Sequence, residues 1–101
     1  MKLTILERLM ILNVMPDVGN VATMRMRQHL IEKAGLTAEE MEEAKVATGE
    51  DGTLRWEKEF DKDIEFKPAE HALISEALER LSNDKKLQPE QLTLYDKFVG
   101  G

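Results

Sequence analysis

His29 and His71 are the chain's two histidines, the residue type best suited to move a proton or ligate a metal near neutral pH. They fall on separate predicted helices, in neither an H-E-x-x-H nor any other ligand spacing, which marks them as surface or structurally satisfied side chains. The run Glu39, Glu40, Glu42 and Glu43 concentrates negative charge. A calcium loop, however, needs Asp and Asn at alternating positions about a central Gly, and the GEDG segment at Gly49 to Gly52 is too short to supply one. The run is read as a solvated helix face, with docking on a basic partner as the alternative. Ser75 and Ser82 have no recognisable activating neighbour, and no glycine-rich phosphate loop occurs. No catalytic residue, cofactor site or metal ligand is therefore assigned, and the chain is read as a non-enzyme.

Two constellations remain. Arg25, Arg27 and Lys33 share a predicted helix and form a candidate nucleic-acid surface, with Lys85 and Lys86 as further candidates. Leu9, Met10 and Ile11, together with Trp56, form a candidate protein-interaction surface, because an apolar helix and an aromatic on a small sheet suit contact with another chain.

The elements that must position these residues follow from caps and periodicity. Thr4 and Glu7 have capping-box spacing, so a helix is predicted over residues 5–14, and Pro16 ends it. Its apolar residues occupy most of the circumference, leaving Glu7, Arg8 and Asn13 for water and making the helix either central or part of an interface. Asn20 caps a second helix over residues 21–34, which Gly35 is expected to end in a left-handed conformation. Thr37 and Glu40 open a short acidic helix over residues 38–44.

KVATGEDGTLRW then reads as a hairpin, with Gly49 and Gly52 supplying positive torsions, strands over residues 45–48 and 53–57, and Leu54 and Trp56 on the buried face. Alternation over residues 63–67 suggests a third strand. Pro68 opens a helix over residues 68–82, and Pro89 opens a last one over residues 89–98. The fold class is α+β: four to five helices around a small two- or three-stranded antiparallel sheet, in one domain over residues 1–99.

Composition limits the function. With 42% hydrophobic and 34% charged residues in 101, the chain suits one globular domain. A formal charge of −6 argues against non-specific nucleic-acid binding, since phosphate affinity comes mainly from Lys and Arg. No segment has the roughly 18 apolar residues of a membrane span. Glu7, Arg8 and Asn13 interrupt the early apolar run that would otherwise suggest a signal peptide. The absence of cysteine suits a reducing compartment, and a cytoplasmic location is expected.

Three helices followed by a hairpin also match the order of winged-helix DNA-binding domains, which makes a nucleic-acid-associated regulator the alternative function. In that arrangement the third helix would carry its glutamates towards phosphates.

ERLMILNVMP near the start, EDGTLRW in the middle, and ALISEALERLSNDKKL with LTLYDKF at the end resemble short uncharacterised proteins of phages and prophages. The resemblance implies a small accessory or assembly protein in a viral or mobile-element gene set, and so a host-cell cytoplasmic setting. It brings no activity, cofactor or functional residue with it. The expected function is protein–protein interaction or self-association, without catalysis.

Overall fold

Thr4 and Glu7 start the first helix as their spacing predicts: the Thr4 hydroxyl accepts the Glu7 amide at 3.1 Å, and the Glu7 carboxylate accepts the Thr4 amide at 2.9 Å. The resulting α1 (Ile5–Val14) ends where Met15, extended at φ −64° and ψ 143°, leads into Pro16. Asn20 Oδ1 caps α2 (Val21–Ala34) by accepting the Thr23 amide at 2.9 Å. Thr37 and Glu40 form a second reciprocal box at the start of α3 (Ala38–Ala44). Helix α4 (Pro68–Asn83) begins on its proline, with Glu70 accepting the Lys67 amide at 2.8 Å. The computed structural model describes residues 1–100 and is α+β.

The strands are shorter than predicted, and they form two separate sheets rather than one. The hairpin is β2 (Ala47–Thr48) against β3 (Leu54–Arg55), antiparallel, with Ala47 opposite Arg55. Asp51 closes its loop by accepting the Thr53 amide at 3.2 Å and the Thr53 hydroxyl, and only Gly52 of the two loop glycines has a positive φ, of 83°. The predicted third strand does not join this hairpin. Lys62–Asp63 (β4) pairs instead with Lys2–Leu3 (β1), and the Ile64 amide reaches the Met1 carbonyl at 2.9 Å. A pairing between the chain's start and its middle leaves no local sign in either segment.

The core is built by the helices. Leu3, Ile11, Leu30, Ala34, Ile74, Leu78 and Leu94 have no exposed surface, and Ile64 and Phe98 close the cluster. The hairpin lies outside it: Leu54 is 46% exposed and Trp56 half-buried, against the expectation that this face would be covered. The last predicted helix changes type along its length, from a 3-10 turn (Pro89–Gln91) through α5 (Leu92–Tyr95) to a π-helical turn (Asp96–Gly100). Leu94 and Phe98, four residues apart on one face, both enter the core.

Gly35 does end α2, but in an extended conformation at φ −63° and ψ 153°, not a left-handed one. Its necessity is spatial, because a Cβ there would lie 2.6 Å from the Ile31 carbonyl oxygen, a backbone atom that cannot swing aside. Gly35→Ala is expected to cost about 1–3 kcal/mol, the range for forced overpacking, read as a lower urea midpoint. A change below about 0.5 kcal/mol, the ordinary range for a surface substitution, would mean that the turn yields freely.

Candidate functional site

Arg8 and Glu7, expected in water, are both buried, and Arg8 has no exposed surface. The Arg8 guanidinium donates to the Ala34 carbonyl at 2.9 Å, to the Gly35 carbonyl at 2.8 Å, and to both oxygens of Glu40 at 2.8 Å. It therefore sits between the carbonyl end of α2 and the first turn of α3, where cation and carboxylate each match the local backbone dipole. Hydrogen bonding from Arg8, above all, holds the Glu40 carboxyl down at about 2 despite its burial. Burial tends to raise the Glu7 carboxyl, but the Lys97 ammonium at 2.7 Å and the Thr4 amide outweigh it and hold it below the usual range.

These buried ions serve the fold. Arg8 ties three helices together, and Lys97 clamps the C-terminal turn onto α1 and the Lys2 carbonyl. The missed signal was α1 itself: a helix apolar around most of its circumference is central, so its few polar residues are buried with it.

The structure brings together one nucleophile and base that the sequence did not pair, since Ser75 Oγ lies 3.3 Å from His71 Nδ1. The hydroxyl has one proton, and the Phe98 carbonyl, which can only accept, takes it at 3.0 Å. Nδ1–H then donates to Ser75, which leaves the oxygen unactivated and makes the pair a tie between α4 and the π-helical turn. The His71 ring lies 5.0 Å from that of Phe98, which meets Phe66 edge-on at 5.3 Å. His29 lines a different depression from His71, and among the described residues no three His, Cys, Asp or Glu side chains gather as metal ligands would.

The two sequence-derived surfaces fare differently. Ile11 is core, Leu9 and Met10 are half-buried, and Trp56 spends its indole N–H on Glu59 at 2.7 Å. Glu59 in turn accepts the Ile5 amide at 3.3 Å, so Trp56 is pinned to the start of α1. Ile11 is thus corrected from contact residue to core, and the four residues present no continuous exposed face. Of the basic set, Arg27 turns towards Asp17 at 3.9 Å, while Lys33 is held by Glu70 at 2.7 Å and the Glu65 carbonyl at 3.1 Å. Burial pushes the Glu70 carboxyl up, but the Lys33 hydrogen bond and the Lys67 amide bring it below its ordinary value.

Arg25 and Lys33 instead border an open groove of about 670 Å³ between α2 and the start of α4. Its floor is Ala22, Met26 and Ala69, and Lys67 stands on the opposite wall. Among the described residues, Arg25 and Lys67 have no carboxylate within ion-pair distance, whereas the neighbouring Lys33 and Glu70 satisfy each other. Glu32, also on the lining, is exposed and likewise has no ion-pair partner among the described residues, so the groove sets an apolar floor between free charges of both signs, which is chemistry for holding a side chain or helix face. A smaller depression of about 420 Å³ lies between the α1–α2 loop and α4, beside Val18, which is 84% exposed. Its rim alternates in sign through Glu76, Arg80, Asp84 and Lys86.

No family model, curated protein or solved structure matches the chain. Among the described residues no helix is long and apolar enough to cross a membrane.

Proposed function

We propose that this chain acts by contact with another protein and without catalysis, as a small cytoplasmic accessory or assembly component of the kind its phage and prophage resemblance implies. The observation that supports this reading is the groove between α2 and α4. It is open and floored by Ala22, Met26 and Ala69, and among the described residues Arg25, Lys67 and Glu32 on its lining have no ion-pair partner. Methionine on such a floor adapts to the shape of what it meets. The docking surface accordingly moves from α1, where Ile5, Ile11 and Val14 are core and Leu9 and Met10 are half-buried, to α2 and α4.

A photo-crosslinking residue placed at Ala69 in the groove, and separately at the exposed Glu79 of α4, tests this in cells that produce the protein. A discrete protein adduct is expected from position 69 and not from position 79. Equal labelling from both positions, or no adduct from position 69, would remove the groove as a docking surface.

A further inference from the structure

The depression between the α1–α2 loop and α4 has a knob beside it on the same face. Pro16 ends α1 and Asn20 caps α2, so the loop between them is held at both ends. It presents Val18, 84% exposed, next to a hollow of about 420 Å³ whose apolar lining includes Val14, Leu73, Ala77 and Leu81. Leu73, Ala77 and Leu81 follow at intervals of four along α4, and Glu76, Arg80 and the C-cap Asp84 form a neighbouring row of the same spacing, three positions on. That second row is exposed, and among the described residues Glu76, Arg80, Asp84 and Lys86 have no ion-pair partner. Asp17, beside the knob, is matched by Arg27 at 3.9 Å.

We infer that this face binds the same face of a second copy of the chain across a twofold axis, with Val18 of each copy seated in the other's hollow. The charges on the rim run negative, positive, negative, positive from Glu76 to Lys86. Turned end for end, as a twofold axis requires, the row reads in the opposite signs, so Glu76 meets the second copy's Lys86 and Arg80 meets its Asp84. A parallel arrangement would set each charge against its like, so the row selects the twofold one. The four charges also cancel, which gives copies of a chain of net charge −6 a face on which they meet without repulsion. Knob and hollow are used up together in such an isologous contact, and association stops at the dimer. The face shares no lining residue with the α2–α4 groove, so loss of one docking reading leaves the other standing.

Sedimentation velocity of the full chain, over a concentration series up to the millimolar range, tests this with Val18→Ser, Arg80→Glu, and a swap that combines Arg80→Glu with Asp84→Arg. All three positions are exposed, so the helical circular dichroism should be unchanged. The unmodified chain is expected to pass from monomer to dimer and no further. Val18→Ser and Arg80→Glu should each raise the concentration needed for dimer by roughly tenfold or more, since a twofold axis counts every lost contact twice. The swapped variant should regain the dimer, because each reversed charge again meets its opposite across the axis.

A chain that stays monomeric throughout, or one that grows past dimer, would overturn the twofold contact. So would a dimer that Val18→Ser or Arg80→Glu leaves undisturbed, or a swapped variant as weak as Arg80→Glu alone.

Discussion

Arg8→Ala is expected to cost about 3–5 kcal/mol, a large share of the roughly 5–15 kcal/mol that holds a domain of this size together. The magnitude follows from what is left behind rather than from the attraction that is lost. The substitution leaves the Glu40 carboxylate with only the Thr37 amide and Lys62 at 3.9 Å, it takes the donors from the Ala34 and Gly35 carbonyls, and it empties a site that no surface water reaches directly. Arg8→Lys should recover only part of the loss, since one ammonium cannot serve a carboxylate bidentately and two carbonyls at once. Urea unfolding of both variants checks this, together with a double-mutant cycle against Glu40→Ala. A cost below about 1 kcal/mol for Arg8→Ala, or a coupling near zero, would show that water replaces the guanidinium without penalty.

Acid should unfold the protein through the same carboxylates. Glu40 falls from an ordinary value of 4.5 to about 2 on folding, and Glu7 and Glu70 also shift downwards. The folded state therefore holds fewer protons than the unfolded chain in this window. The stabilisation is present in full above the unfolded value and is lost as pH falls through the folded ones. The urea midpoint is expected to be flat down to about pH 5 and then to drop steeply between about pH 4.5 and 2. Glu40→Gln should begin lower at neutral pH and fall less steeply, because the group with the largest downward shift no longer titrates. If Glu40→Gln followed the same slope as the unmodified chain, Glu40 would not be the group that couples acid to unfolding.

The two predictions share a cause, which also explains why the acidic run of α3 divides in two. Glu40 stands at the third position of the helix, where one oxygen accepts the Thr37 amide while both accept from Arg8. Glu39, Glu42 and Glu43 fall on the other faces of the same short helix and keep their charge for whatever meets them.

Residue order alone settles whatever a helix end decides within a few positions. The capping boxes of Thr4 with Glu7 and of Thr37 with Glu40, the Asn20 cap and the prolines at 68 and 89 place the helix starts, and Pro16 places the end of α1, because each acts on its own neighbours. The hairpin about Asp51 and Gly52 was legible for the same reason. Of the candidate groove, Arg25 and Lys33 were visible as basic residues of one helix.

What those residues face is set by the packing of distant segments. It buried Arg8 by bringing the end of α2 and the start of α3 against α1, and it paired β1 with β4 across most of the chain. It turned Arg27 aside to Asp17 and set Lys67 across from Arg25. Each of these depends on which distant segments meet once the apolar faces close, and a short stretch of sequence does not encode the partner it will be pressed against.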